Sequence, residues 1–297
     1  MQPATTRLAL MALTGFASLA AGLAQSPNRL TVLVDAFGQS PTLKQDWGFS
    51  ALIEHRGKRI LFDTGNNAES FAHNVKALNI DLTRLDFVVI SHRHGDHTDG
   101  LRYLFRLNPT VRVYVPNDEY FGGPTPMGFF RQKVPSLPPH MRYFNGAVPQ
   151  ALPHGSPWKE GKLTRIDTLT EVAPGVTLVR NLSQTRLFGE TPELSLSLRT
   201  DRGQVLVVGC SHPGIEPILA SVSARRKPVH LLVGGLHWVQ TPEPEIDRLV
   251  AALRDDWRVA RVAPGHCTGE AGFAALLRAF GPRYDYAGLG TVLALPD

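Results

Sequence analysis

The chain has 297 residues, 43% hydrophobic and 19% charged, with a formal net charge of +5. That apolar share, over that length, supports a sizeable core and excludes disordered low-complexity and collagen-like classes. The basic residues are scattered with no run of five or more Lys/Arg, which argues against nucleic acid as a partner, and two cysteines cannot build a disulfide framework.

Residues 1–24 carry one positive residue, Arg7, then an apolar stretch from Leu8 to about Ala21 and small residues ending at Ala24. This is the pattern of a secretory signal cut after Ala24. The alternative, an uncleaved anchor, needs about 20 apolar residues, and the stretch reaches only ~14–17. The expectation is a secreted or periplasmic protein, residues 25–297, forming a single domain with no stable membrane insertion after signal cleavage.

Leu30–Phe37 is β-rich and apolar and reads as the first strand. Gly48–Glu54 and Arg59–Asp63 follow as strands joined by a hairpin turn at His55-Arg56-Gly57-Lys58. Asn66–Leu78 has helical spacing, with Phe71, Val75 and Leu78 on one face. Asp86–Ser91 is an apolar strand, Leu101–Leu107 a short helix and Val111–Val115 a strand. Later strands fall at Gln204–Cys210, His230–Gly235, Arg258–Ala263 and Gly290–Leu295. Helices fall from about Ile215, at Glu243–Leu253 and at Gly269–Phe280. This alternation calls for an α/β fold, sheet covered by helices. Residues 116–160 break the rhythm with repeated prolines and interspersed aromatics. So long a connection reads as a lid or binding segment, with cover for a sheet edge as the alternative.

His92, His94, Asp96 and His97 lie within six residues, directly after an apolar strand. Imidazole and carboxylate are the ligands a borderline divalent ion such as zinc prefers, and a turn at a strand end throws them toward one point.

Ser91-His92-Arg93-His94-Gly95-Asp96-His97 resembles the HxHxDH signature of the metallo-β-lactamase fold superfamily, and Phe62-Asp63-Thr64-Gly65 and Pro264-Gly265-His266 extend the likeness. The resemblance spans roughly residues 30–295 and implies an αββα four-layer sandwich holding one or two metal ions, usually Zn2+, with iron or manganese left open. By position it implies His92 and His94 as first-site ligands, Asp96 and His97 as second-site ligands, and His266 as the late second-site ligand. Asp63 would brace the histidine-rich loop. The middle motifs depart from the common pattern. No GHT-like turn is present, and Cys210 stands where a bridging aspartate is usual, with His212 two residues on. His212 is expected as the remaining first-site ligand. The stretches GCSHPGI, GGLH and HCTG are similar to a subgroup of dihydropteroate-synthase-like proteins of archaeal pterin biosynthesis. In that subgroup an EHGLS-like sequence occupies the place of Asp46-Trp47-Gly48-Phe49-Ser50 here.

Cys210 is open between a thiolate ligand, a small buried residue and a disulfide partner of Cys267. His237 is expected to act in catalysis or touch substrate, with ligation and packing as alternatives. Arg131, Lys133 and Arg186 could meet an anionic substrate, or be solvated surface. His55, His73, His140, His154 and His230 read as ordinary turn, helix, surface and strand positions. The leading expectation is a hydrolase of a small-molecule ester, thioester, lactone, amide or phosphodiester, with Asp96 as ligand and base. A pterin-type synthase or transferase is the second reading, and an inactive metal-binding or sensing protein the third.

Overall fold

The structure, a computed structural model, describes residues 28–122, 125–126, 138, 142, 147, 151–152, 161–185, 189–223 and 228–297. The expected signal segment, most of the Pro-rich stretch, and with them Arg131, Lys133, His140, His154 and Arg186, lie outside the described residues.

The elements run β1 (Arg29–Val34), β2 (Ser50–His55), β3 (Lys58–Phe62), α1 (Ala68–Ala77), β4 (Phe87–Val89), α2 (Gly95–Thr98), α3 (Leu101–Leu107) and β5 (Arg112–Pro116). A two-stranded pair, β6 (Thr125–Pro126) with β7 (Ala151–Leu152), falls inside the Pro-rich stretch. Then come β8 (Lys162–Ile166), β9 (Thr170–Ala173), β10 (Val176–Thr185), β11 (Gly189–Arg199) and β12 (Gln204–Val208). The chain continues with α4 (Ile215–Ser223), β13 (Val229–Gly235), α5 (Glu243–Ala251), β14 (Arg261–Gly265), α6 (Glu270–Phe280) and β15 (Val292–Ala294).

Two sheets form. One has the order β15-β1-β2-β3-β4-β5-β8, the other β14-β13-β12-β11-β10-β9. Side-chain alternation sorts each strand into two layers. Leu30 and Val32 of β1, Ala51 and Ile53 of β2, and Ile60 and Phe62 of β3 face the second sheet. They meet Leu194, Leu196 and Leu198 of β11, Val205 and Val207 of β12, and Leu231 and Val233 of β13. The intervening Leu52, Leu61 and Val88 pack under Phe71, Val75 and Leu104 of the helices. On the far side Leu206, Val208 and Leu232 pack against Ile218, Val250 and Leu276 of α4, α5 and α6. The result is the expected helix–sheet–sheet–helix order of layers. Strands covered on both faces must be apolar throughout, which is why QVLVV and FVV read so plainly as strands.

Boundaries differ from expectation where backbone partners decide them. Helix α1 begins at Ala68 because the Asn67 side chain accepts the Glu69 and Ser70 N–H groups, an N-cap. Strand β1 ends at Val34, three residues early, because Asp35 turns into the site. The hairpin turn expected at His55–Lys58 begins one residue later: His55 is the buried last residue of β2, 1% exposed.

Candidate metal centre

Every chemically active side chain sits just beyond the carboxyl end of a strand, where open α/β sheets gather their functional groups. Strand β1 delivers Asp35, β3 delivers Asp63, and β4 leads into His92, His94, Asp96 and His97. Strand β12 leads into Cys210 and His212, β13 into His237, and β14 into His266 and Cys267. Strands β12, β13 and β14 run parallel, so their ends converge on one edge. Glu193 joins them from within β11.

Four overlapping donor groups result among the described residues, including Cys210 with His237 and Cys267, and His92 with His94 and Asp96; three of the four share the Cys210 sulfur. Donor atoms of Asp96, His97, Cys210 and His266 all lie within 4.8 Å of one another, and so do those of His92, Cys210 and His212. The Cys210 Sγ is 3.1 Å from His97 Nε2 and 3.3 Å from His266 Nε2. Asp96 Oδ2 lies 3.4 Å from His266 Nε2. His94 joins the group of His92 and His212, with Nδ1 3.0 Å from His92 Nε2 and its ring centroid 4.8 Å from that of His212. The exposed His237 ring stands 4.4 Å from that of His212. Cys210 and Cys267 are free thiols, so the disulfide alternative does not hold in this structure.

Hydrogen bonds outside the cluster fix which nitrogen faces inward. The buried Asp63 carboxylate accepts the Ser91 N–H and O–H, each at 2.7 Å, and His97 Nδ1–H at 2.7 Å. Because the Ser91 hydroxyl donates to Asp63, its oxygen accepts from His92 Nδ1–H at 2.9 Å. Glu193 accepts His212 Nδ1–H at 2.9 Å and the backbone N–H groups of Cys210, Ser211 and His212. The Nε2 lone pairs of His92, His97 and His212 are thereby turned toward the centre. Asp35 accepts the His266 backbone N–H at 2.9 Å.

Burial lowers the proton affinity of His92 and His94, and neighbouring imidazoles lower it further, His94 to about 4. These two rings stay neutral near pH 7 with a lone pair to give. Burial works against the charge on Asp96 and Glu193, but His97 and His266 around Asp96, and His212 on Glu193, outweigh it and hold both carboxyls below their usual range. His266 is pushed up to about 10: burial opposes the charge, but Asp96 and Cys267 override it. Burial raises the Cys210 thiol. Burial also raises the Cys267 thiol, but Cys210, His237 and His266 outweigh that and bring it down.

Imidazole, carboxylate and thiol donors packed at 3–4 Å, with the outer nitrogens of His92, His97 and His212 already engaged, fit a divalent cation. It would take the place of the protons that Asp63 and Asp96 favour on His97 and that Asp96 and Cys267 favour on His266. The carboxylate and imidazole members suit zinc, iron or manganese. The structure thus brings together His92, His94, Asp96, His97, Cys210, His212 and His266, with His237 at the edge. It adds Glu193 and Asp35, which the sequence reading did not single out. Asp35 had a signal, an acid closing an apolar strand. Glu193 lies in residues 190–194, the nearest candidate in the sequence for the missing GHT-like turn, but nothing in that stretch marks a carboxylate that would hold His212.

Comparison with known proteins agrees with this geometry. The family model described as the metallo-beta-lactamase superfamily matches residues 47–266. The chain belongs to the metallo-beta-lactamase superfamily. Within it, the chain is 28% identical over 267 residues to a 7,8-dihydropterin-6-methyl-4-(beta-D-ribofuranosyl)-aminobenzene-5'-phosphate synthase of Methanocaldococcus jannaschii, covering 80% of this chain and 86% of that protein. A solved structure of a metal-dependent hydrolase of the beta-lactamase superfamily superposes with a TM-score of 0.71 at 26% identity, covering 91% of this chain and all of the other. The short form of human tRNase Z shares the metallo-beta-lactamase fold, with a TM-score of 0.52 at 15% identity over 91% of this chain and all of that one.

Proposed function

We propose that the chain is an exported, metal-dependent hydrolase acting on a small-molecule ester, thioester, lactone, amide or phosphodiester. The observation that carries this reading is the cluster of overlapping donor groups built around Cys210, with an ionised Asp96 among them. Divalent cations held there, zinc in this reading, supply Lewis acidity and a nucleophile competent at neutral pH. The side chains do the rest. Asp96, its carboxyl 19% exposed, has an ionised oxygen available to orient the nucleophile and take its proton. His237 holds a proton more readily than a free histidine, chiefly through its hydrogen bond to Cys267, and is placed to give that proton to a leaving group. Asp63 and Glu193 keep the imidazole lone pairs aimed inward throughout.

Elemental analysis of the purified chain, alongside hydrolysis of p-nitrophenyl acetate and bis(p-nitrophenyl) phosphate with and without chelator, tests the proposal. About two zinc ions per chain and chelator-sensitive turnover support it. Iron or manganese in their place would change the cation and leave the reaction class. Cobalt substitution adds a check on Cys210: a sulfur-to-cobalt charge-transfer band that disappears in Cys210→Ser identifies a thiolate ligand. Cation binding without turnover of any substrate sinks the hydrolase reading in favour of a binding protein.

A second reading, a synthase acting on pterin-type compounds, is favoured by the 28% identity to the archaeal synthase over most of both chains. It requires a second organic substrate, and turnover that depends on one would replace hydrolysis as the reading. Export rests on residues 1–24 of the sequence. Protein recovered from its native host with Met1 still in place would sink it. Among the described residues, no helix is long and apolar enough to cross a membrane.

A further inference from the structure

We infer that Trp47 is the receiving surface for a flat aromatic part of the substrate, so that the centre selects aryl-bearing compounds over aliphatic ones of similar bulk. The inference rests on the hydrolase reading for the reaction, but it concerns a binding surface that can be tested separately. Trp47 is 46% exposed, unusual for the largest apolar side chain, and its ring centroid lies 4.9 Å from that of His266. The indole thus keeps open surface beside His266, one of the candidate donors.

The backbone around Trp47 is pinned to the same residues that shape the centre. The Asp46 N–H bonds the Asp35 carbonyl at 3.2 Å, while the Asp35 carboxylate holds the His266 backbone. On the other side, Gly48 sits at φ +108°, where a Cβ would lie 2.2 Å from the Asp96 carbonyl oxygen. Phe49 is fully buried, and its carbonyl accepts the Gly65 N–H at 3.0 Å. An exposed ring on an anchored backbone is a preorganised contact, the kind that gains affinity because little freedom remains to be lost. A second apolar group, Val239, is 56% exposed in the loop after His237, and that loop is tied to the centre by Trp238 N–H to the Cys267 carbonyl at 3.0 Å. Exposed apolar groups therefore flank the His266–Cys267 segment from two separate loops.

The test uses the full chain loaded with zinc and isothermal titration with two probes, naphthylmethylphosphonate and cyclohexylmethylphosphonate. They share an anionic head for the donor centre, and one carries a flat ring system where the other carries a puckered one. The wild-type protein is expected to favour the naphthyl probe by about three- to tenfold, the range of an aromatic pair beyond its buried area. Trp47→Leu should abolish the preference and Trp47→Phe retain most of it, with zinc stoichiometry and far-ultraviolet circular dichroism unchanged. Equal wild-type affinities, no binding of either probe, or a preference that survives in Trp47→Leu would overturn the inference. A Trp47-dependent preference in a protein that hydrolyses nothing would leave the platform standing and remove the hydrolase reading. Chelator-sensitive hydrolysis with no Trp47-dependent preference would do the reverse.

Discussion

Four of the seven described non-glycine residues at positive φ surround the donor centre: Asp63 (55°), Ser211 (62°), His237 (57°) and His266 (47°). Each follows a strand and swings its side chain or its neighbour's into the site, at a strain cost ordinary residues avoid unless their surroundings hold them. The holding is done by buried carboxylates. Glu193 gathers three backbone N–H groups and His212, so Glu193→Gln should weaken first-site cation affinity by about 10–100-fold, measured by competition with a chromogenic chelator. An unchanged affinity would mean that His212 is not a ligand. Of this outer support the sequence offered Asp63, through the resemblance; Glu193 was not legible, because candidate ligands announce themselves by type and spacing while their partners come from distant segments. His55 makes the converse case, since nothing marked it as buried. Neither ring nitrogen makes a well-formed hydrogen bond, the Arg199 backbone giving only weak support, and burial followed by the nearby Arg56 lowers its pKa from 6.5. The unfolded chain therefore binds the His55 proton more readily. Stability present above pH 6.5 is lost as pH falls from there toward the folded pKa. His55→Leu should remove that part of the pH dependence and stabilise the protein by about 1 kcal/mol near pH 7, as judged by urea unfolding at several pH values.

At the level of elements, the strands easiest to read were those buried on both faces, because β12 and β13 are nearly unbroken runs of Val and Leu. Strands β8 to β11 carry no such continuous apolar run. In β11, Glu193, Ser195 and Ser197 alternate with Leu194, Leu196 and Leu198, a pattern that suggests a half-exposed strand, yet all six are buried. Ser197 escapes solvent by donating to Gln204 at 2.7 Å on the neighbouring strand. The end of β13 makes the most stringent backbone demand. Gly234 lies at φ +116°, and a Cβ there would fall 2.0 Å from the Val208 carbonyl oxygen, an atom of a paired strand that cannot step aside. Gly234→Ala should therefore cost about 3 kcal/mol and lower Tm by roughly 6–12 °C. A shift under about 2 °C in a thermal melt would show that β12 and β13 are free to separate there, and would weaken the placement of Cys210 and His237 that depends on them.

Across the whole molecule, the layer order follows from hydrophobic sorting, whereas the meeting of the two sheets at one edge follows from chain topology. His92, His94, Asp96 and His97 come from the first sheet, and Cys210, His212 and His266 from the second. Local sequence pattern could not show that these distant segments converge; only the resemblance of the motifs implied it. A cation held by both groups joins the sheets at their functional edge and binds the folded chain far better than the unfolded one. Linkage then fixes the consequence: free cation at a thousand times its dissociation constant stabilises the fold by about 4 kcal/mol per site. Stripping the protein with chelator should accordingly lower Tm by roughly 8–16 °C per cation, and back-titration should restore it in a concentration-dependent way. His92 is a candidate donor in the groups of His212 and His94 and not in that of His97 and His266, so the melt of His92→Ala should respond to chelator by about half as much. A wild-type melt that is indifferent to chelator, in protein shown to contain the cation beforehand, would mean that the donors of one sheet suffice and that the two halves are held together by their apolar faces alone.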